Sequence, residues 1–185
     1  FHFTTIPAEI YNVTELQKIE NPRAKFDNEY DFFYKSPRII QKILEFIDTL
    51  QGNSLVIFDY LVIQDKIKEY LDKNNSEIFN EKLFKNKTIE FVDGRVSIDK
   101  REEIRNALEK FNNIILFAQS QTFSLGINVK NLHNIVFLFT SKSAVKIIQS
   151  IGRGLRTTET KNVVNIFDIS SNLKYSRHHY NQRLK

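Results

Sequence analysis

The chain has 185 residues, the size of one or at most two domains, and its 41% apolar content is enough to build a packed core. Its 27 Lys and Arg against 22 Asp and Glu give a net charge of +5, which fits either ordinary solubility or a polyanionic partner. The lack of Cys excludes disulfides and cysteine metal sites, the four His fit no metal-binding pattern, and no apolar run is long enough to span a membrane.

The first 35 residues show only weak alternation of apolar and polar side chains. This pattern predicts an edge strand and a connecting segment rather than a second core. Because the chain begins with Phe1 and contains no Met, we expect it to be a segment of a longer protein.

Two helices and a strand are predicted between residues 36 and 71. Ser36 followed by Pro37 is a typical helix start, and Gly52 is placed to stop that helix. Residues 55–58 form a short apolar run, which predicts a buried strand. Apolar residues then recur at helical spacing over residues 63–71.

Residues 73–111 predict a surface insertion followed by another strand and another helix. Residues 73–87 are rich in Asn and Lys, and residues 88–92 are predicted as a strand that ends in the Asp93-Gly94 turn. Asp99 and Glu102 have the spacing of a capping box. One apolar helical face is predicted to consist of Ile104, Ala107, Leu108 and Phe111.

Three more apolar strands are predicted at residues 114–118, 135–139 and 163–169. Uninterrupted apolar strands alternating with amphipathic helices indicate an α/β fold, a parallel β-sheet flanked by helices on both faces. Ligands of such folds bind at the carboxyl ends of the strands. The positions of interest are therefore those that follow Phe58, Val92, Ala118 and Phe139.

The sequence has no phosphate-binding loop of the form GxxxxGK[ST] and no GxGxxG, since Gly152 and Gly154 lack a third glycine. It also has no Asp-Glu pair at a strand end that could hold Mg²⁺. We therefore expect that this chain alone neither binds a nucleoside triphosphate in the usual way nor hydrolyses it.

A helix over residues 143–156 would place Gln149, Gly152, Arg153 and Arg156 on one face and its apolar residues on the other. Two neighbouring guanidinium groups repel each other, but they can grip phosphate oxygens in bidentate fashion. The spacing alone leaves two interpretations open, a phosphate-binding face and a solvated basic face.

Four segments resemble motifs of the superfamily 2 helicases and translocases. Residues 149–156 (QSIGRGLR) resemble motif VI, with its pattern Q-x-x-G-R-x-x-R, and residues 117–128 resemble motif V. Residues 54–60 resemble motif IV, and residues 92–95 with Arg101 resemble the segment before motif V. The four segments follow one another in the family order. The residues of motifs V and VI are most similar to those of phage recombination DNA helicases.

The resemblance implies the second RecA-like domain of a two-domain motor, at residues 36–172. Residues 1–35 would then connect it to a first RecA-like domain, and residues 173–185 would be a basic C-terminal extension. ATP would bind between the two domains, with Mg²⁺ held by the first one. The intact protein would be an ATP-dependent DNA helicase in the cytoplasm, that of the host cell if the protein is of phage origin.

The resemblance also assigns roles to residues on the nucleotide side. Arg153 and Arg156 would reach the γ-phosphate as arginine fingers, with Gln149 helping to position it. The residues implied to line the nucleotide are Gly126, Asn128 and Gly152.

A second set of residues would hold the backbone phosphates of single-stranded or branched DNA. Hydroxyl, amide and backbone N–H donors suit a motor that steps along any sequence. Taken singly, each of these residues has ordinary loop chemistry as its alternative explanation, and Gly94 alone is typical of a turn. The set comprises Tyr60, Gly94, Arg95, Gln119, Ser120 and Thr122.

Two other functions stay open at this point. The chain could belong to the motor subunit of a restriction complex, whose motif VI is similar, or it could be a nucleic-acid-binding module that never touches ATP. A phosphate-binding loop and an acidic pair encoded upstream of Phe1 would favour a motor over the binding module.

Overall fold

The computed structural model describes residues 2–6, 27, 29–31, 34–74, 83–123, 131–138, 163–171 and 173–183. Residues 29–31 and 34–35 are helical. The further elements in these ranges are β1 (His2–Ile6), α1 (Pro37–Thr49), β2 (Ser54–Phe58), α2 (Leu61–Asn74), β3 (Thr88–Val92), α3 (Ile98–Lys110), β4 (Ile114–Gln119), α4 (Ser120–Phe123), β5 (Asn134–Leu138), β6 (Asn165–Ser171) and α5 (Lys174–Arg183).

The six strands form one parallel sheet in the order β1-β6-β5-β2-β4-β3. In its centre, Phe58 at the end of β2 pairs with Gln119 of β4 on one side and with Leu138 of β5 on the other. The carboxyl ends of these strands therefore meet at one edge of the sheet, which we call the carboxyl edge. The opposite edge is called the amino edge.

Both faces of the sheet are buried. In β2, Val56 and Phe58 belong to the core cluster that includes residues of α1 and α2, while Leu55 and Ile57 belong to the cluster that includes α3. A strand that is buried on both faces is mostly apolar, because successive side chains point in opposite directions and both faces meet the core. The predicted α/β fold with helices on both faces is thus confirmed.

Helix α1 begins as its sequence predicts and ends earlier than Gly52. Ser36 is the N-cap residue and Pro37 the first helical residue, although the Ser36 side chain makes no capping hydrogen bond. The helix ends at Thr49, and Gly52 adopts a φ of +78° in the following turn. Positive φ suits glycine, so Gly52 shapes the connection to β2 rather than the helix end itself.

The capping-box prediction for α3 is wrong. Ser97 precedes the first helical residue with an extended backbone, and its hydroxyl accepts a hydrogen bond from the backbone N–H of Lys100 at 3.3 Å. Asp99 therefore lies inside the first turn, where its negative charge interacts favourably with the positive end of the helix dipole. Glu102 has no N-cap partner to reach back to.

The prediction that Phe111 completes the apolar face of α3 is also wrong. Ile104 and Leu108 are buried as predicted, but the helix ends at Lys110. Phe111 is the C-cap residue with an extended backbone, which turns its ring away from the helical stripe and leaves it 62% exposed.

The predicted surface insertion at residues 73–87 is partly integrated into the fold. Helix α2 continues to Asn74, and residues 75–82 lie outside the described ranges. In the turn that follows, Phe84 is buried in the core and Lys87 is mostly buried. The Asn- and Lys-rich composition of this stretch gives no sign that Phe84 is buried, because a single aromatic residue changes the composition little.

Helix α5 follows β6 and packs close to that strand, with Ser176 buried in the helix and Leu173 buried just before it. The hydroxyls of Ser170 and Ser176 lie 3.0 Å apart. None of the helices in the described ranges combines the length and the apolarity that crossing a membrane requires.

Candidate functional site

The carboxyl edge brings together three loops that the sequence separates by as many as 60 residues. The loops follow β2, β4 and β3, which are neighbours in the sheet. Because paired strands lie about 4.8 Å apart, the two outer loops are only about 10 Å apart. These loops hold the predicted nucleic-acid-binding residues Tyr60, Gly94, Arg95, Gln119, Ser120 and Thr122.

Asp59 ties the loops after β2 and β4 to each other. The Ser120 hydroxyl donates a hydrogen bond to Asp59 Oδ1 at 2.7 Å, and the Gln119 side-chain amide donates to the Asp59 backbone carbonyl at 3.3 Å. The first residues of both loops are therefore held in a fixed relation. Asp59 directly follows Phe58 and is therefore one of the positions of interest in the sequence, but no role was predicted for it.

Asp93 organises the loop after β3. Its carboxylate accepts hydrogen bonds from the backbone N–H of Arg95 at 2.8 Å and from the Gln64 side-chain amide at 2.8 Å. The Arg95 guanidinium binds the same carboxylate through Nε and Nη2, the latter at 2.6 Å. The backbone carbonyl of Asp93 accepts from Arg101 Nη2 at 3.3 Å.

These contacts hold the pKa of the Asp93 carboxyl far below its usual range, chiefly through the hydrogen bonds from the Arg95 side chain. In the same pair, the hydrogen bond to Asp93 raises the pKa of Arg95. Asp93 is thus a buried carboxylate that is ionised at neutral pH. Arg95 is two-thirds exposed, and part of its charge is already balanced by this partner.

Gly94 lies at the open tip of this loop. A Cβ atom built on it would meet no atom within 4 Å, and its φ is not positive. The turn itself therefore does not require glycine here. A bare backbone at this position is suited to close approach by another molecule.

The candidate residues differ in their access to solvent. Tyr60 is 51% exposed, and Gly94 and Arg95 are exposed as well. Ser120 and Thr122 are buried. The part that these residues play in nucleic-acid binding stays a prediction, with Tyr60, Gly94 and Arg95 as the members that face solvent.

The residues assigned to the nucleotide lie outside the described ranges, so their roles also stay predictions. They are Gly126, Asn128, Gln149, Gly152, Arg153 and Arg156.

Comparison with known families identifies the class of protein. Residues 38–158, more than half of the chain, match the family described as the helicase conserved C-terminal domain. The chain belongs to this family, as the motif pattern predicts.

The relatives include viral helicases. The chain is 33% identical over 146 residues to the ATP-dependent DNA helicase uvsW of Enterobacteria phage T4, a match that covers 72% of this chain and 26% of that protein. It is 28% identical over 141 residues to the putative helicase 22 of the Sulfolobus islandicus filamentous virus (isolate Iceland/Hveragerdi), covering 76% of this chain and 23% of the relative. The chain thus spans about a quarter of the length of these relatives.

The fold agrees with a solved structure of one of them. The crystal structure of T4 UvsW superposes with a TM-score of 0.71 and 23% sequence identity, over 98% of this chain and 37% of that one. This likeness confirms the RecA-like fold that the resemblance implies.

Proposed function

We propose that this chain is the second motor domain of an ATP-dependent DNA helicase or branch-migrating translocase. The proposal rests on the membership of this chain in the helicase C-terminal family. It is supported by the 33% sequence identity between this chain and a phage protein named as an ATP-dependent DNA helicase. In the intact protein, a first RecA-like domain would face this one. The site of action would be the cytoplasm, that of the infected host for a phage protein.

On the nucleotide side, Arg153 and Arg156 would place their guanidinium groups against the γ-phosphate oxygens, and Gln149 would help to position it. Gly126, Asn128 and Gly152 would line the same side. ATP bound with Mg²⁺ supplies the phosphoryl group whose transfer to water drives the motor.

We assign the Mg²⁺ to the first domain. At the described part of the carboxyl edge, the carboxylates of Asp59 and Asp93 already accept hydrogen bonds from neighbouring side chains. Within the described ranges, no third His, Asp or Glu joins either carboxylate to form a group that could hold a metal ion.

On the DNA side, the three loops of the carboxyl edge would hold the sugar–phosphate backbone of single-stranded or branched DNA. The proposal is supported by the way the sheet order gathers these loops. Phosphate contacts carry no sequence information, as a motor that moves along any sequence requires. The residues assigned to this role are Tyr60, Gly94, Arg95, Gln119, Ser120 and Thr122.

Closing and opening of the cleft between the domains would move this DNA-binding edge relative to the first domain. Arg153 and Arg156 would complete the catalytic site only in the closed state. Hydrolysis would thereby be coupled to a step along the strand.

The test is to change Arg153 or Arg156 to Ala in the intact protein and measure ATP hydrolysis at saturating DNA. An arginine finger contributes roughly 10³- to 10⁵-fold in rate, so kcat is expected to fall strongly, less so if the two share the role. Arg→Lys is expected to rescue little, because an ammonium group lacks the bidentate fork. Lys110→Ala serves as the control, since Lys110 is an exposed cation at the amino edge.

DNA affinity without nucleotide is expected to be unchanged in these variants. The reverse result, normal turnover with weakened DNA binding, would show that the basic face of residues 149–156 binds DNA instead. The chain alone is expected to show no Mg²⁺-dependent ATP hydrolysis, and steady turnover by a pure preparation would contradict the proposed division of labour.

A further inference from the structure

Tyr60 is the exposed aromatic residue of the described part of the carboxyl edge. Half of its surface is open to solvent. It is the second residue after β2, and the neighbouring residue Asp59 is hydrogen-bonded to Ser120 at the end of β4. The ring therefore stands beside the loops to which the proposed function assigns the DNA backbone.

The ring is supported from behind by other rings. Its centroid lies 4.7 Å from that of Tyr30, at an interplanar angle of 69°. Tyr30 is itself 4.7 Å from Tyr34, and both of these residues are buried in the core cluster. An edge-to-face contact of this kind fixes the orientation of the outer ring.

The Tyr60 ring, which packs on other aromatic rings, differs from an exposed aromatic side chain without such packing. Phe111, which is similarly exposed, lies at the amino edge, and no aromatic contact is recorded for it within the described ranges. A rigid aromatic surface loses little conformational freedom when a flat partner stacks on it. The pre-oriented Tyr60 ring is thus suited to a planar ligand group.

We propose that the Tyr60 ring stacks on one unpaired base of the DNA strand whose phosphates lie along the carboxyl edge. This inference rests on the proposed function and adds a contact to the base itself. Every base has a π-face, so stacking is compatible with movement along any sequence. A base inside a duplex is already stacked on its neighbours, so Tyr60 would favour single-stranded over duplex DNA.

The experiment uses the intact protein without nucleotide and two fluorescent oligonucleotides of equal length, one of thymidines and one with abasic sites along its whole length. Tyr60→Phe keeps the ring, whereas Tyr60→Leu keeps an apolar side chain without it. Phe111→Leu makes the same ring-to-leucine change at the amino edge and is the matched control. Salt is held constant throughout, because phosphate contacts are salt-dependent.

Tyr60→Leu is expected to weaken binding of the thymidine strand by roughly 5- to 150-fold, the usual range for one stacked base. Phe111→Leu is expected to bind it as the unchanged protein does. Tyr60→Phe keeps the ring and loses only the hydroxyl, so it is expected to bind this strand several-fold more tightly than Tyr60→Leu does. On the abasic strand Tyr60→Leu and Tyr60→Phe are expected to bind with equal affinity, because both lack the hydroxyl and no base remains to be stacked. Phe111→Leu is expected to bind this strand as the unchanged protein does.

Thermal unfolding of each variant shows whether the loss of the contact with Tyr30 affects folding. Should Tyr60→Leu fail to fold, the unchanged protein still provides a test. The fluorescence of a strand that carries the base 2-aminopurine is expected to fall on binding, because the Tyr60 ring stacks on that base. Tyr60→Phe, which keeps the ring, is expected to quench the fluorescence to the same extent.

Equal affinities of the unchanged protein and Tyr60→Leu for the thymidine strand would overturn the stacking proposal while the proposed function stands. Equal weakening on both strands would overturn it too, since the loss would then not involve a base. Failure of the unchanged protein to bind either strand would instead remove the proposed function, and the stacking proposal with it.

Discussion

Gly52 and Gly94 differ in whether the fold requires a glycine at their position. Gly52 has a φ of +78°, and a Cβ built on it would lie 2.4 Å from Cγ of His133. The same ring accepts a hydrogen bond at Nδ1 from the backbone N–H of Asn53 at 3.1 Å, so it cannot easily move away. Gly94, by contrast, has open space around it and no positive φ.

We therefore expect Gly52→Ala to lower the free energy of unfolding by about 1–3 kcal/mol, because the strained backbone and the contact with His133 both penalise a side chain. Gly94→Ala is expected to leave it unchanged or raise it by up to about 1 kcal/mol, since alanine restricts the unfolded chain. Urea-induced unfolding of the two variants measures the difference.

The same pair of variants separates folding from binding. If a DNA phosphate approaches the backbone at Gly94, Gly94→Ala is expected to weaken DNA binding without loss of stability. A Gly52→Ala variant as stable as the unchanged protein would contradict the assignment of strain to that turn.

At the scale of the element, the end of α1 depends on a residue from another part of the chain. The last turn of α1 contains no basic residue of its own. Lys87 Nζ instead donates hydrogen bonds to the backbone carbonyls of Asp48, of Ile47 at 3.4 Å and of Leu50 at 2.9 Å. Its charge also lies at the negative end of the helix dipole and 3.4 Å from Asp48 Oδ1.

Lys87→Met retains most of the side-chain volume and removes the ammonium group. Because the carbonyls that it serves are then left without their donor, we expect a loss of about 1–3 kcal/mol in the free energy of unfolding. Lys85→Met, an exposed position of the same turn, is the control and is expected to change it by less than about 0.5 kcal/mol. Chemical denaturation followed by circular dichroism measures both.

Hydrogen exchange would locate the effect. Amide protons in the last turn of α1 are expected to exchange faster in Lys87→Met than in Lys85→Met. If both variants lose the same stability, Lys87 acts only as one more surface charge, and the capping assignment is wrong.

At the scale of the whole molecule, the sequence predicts the fold well because its dominant energy term is visible in it. Strands that are buried on both faces are mostly apolar, as residues 55–58 and 114–118 are, and such runs alternating with amphipathic helices indicate a parallel sheet with helices on both sides. The carboxyl edge follows from the direction of the strands, so residues such as Tyr60 and Arg95 could be selected in advance.

What the sequence does not predict are contacts between distant polar side chains. Asn53 is fully buried, and its Oδ1 accepts from the backbone N–H of Ile114 at 2.9 Å, while its Nδ2 donates to the carbonyl of Leu108 at 2.8 Å. Nothing local distinguishes this Asn from one in a solvated turn. Asp59 and Asp93 directly follow buried strands, but their distant partners Ser120 and Gln64 become neighbours only once the strand order is known.

One carboxylate joins the helical segment at residues 29–31 to helix α5. Glu29 accepts hydrogen bonds from the backbone N–H groups of Tyr175 at 3.1 Å and Ser176 at 2.7 Å. These belong to the first turn of α5, where N–H groups have no partner within the helix. Glu29 thus caps a helix that lies nearly 150 residues later, and its burial raises its pKa above the ordinary value of 4.5.

Glu29 and Asp93 should consequently give stability opposite dependences on pH. A carboxyl whose pKa is raised by folding contributes stability that is complete below about pH 4.5 and is lost as the pH rises through its folded pKa, by up to about 1.4 kcal/mol per pH unit. The pKa of Asp93 is lowered from 3.8, so its contribution is complete above that pH and is lost only in stronger acid.

Urea unfolding of Glu29→Gln and Asp93→Asn at pH 5, 6 and 7 tests this contrast, because neither amide titrates. Relative to the unchanged protein, the deficit of Glu29→Gln is expected to shrink as the pH rises, since the ionised Glu29 is the form that burial disfavours. The deficit of Asp93→Asn is expected to stay constant over this range at about 1–3 kcal/mol, because Asp93 is ionised throughout in both the folded and the unfolded chain. Parallel pH profiles for the two variants would show that the backbone N–H donors of α5 outweigh the burial of Glu29, and that its carboxylate is as fully ionised in the folded protein as that of Asp93.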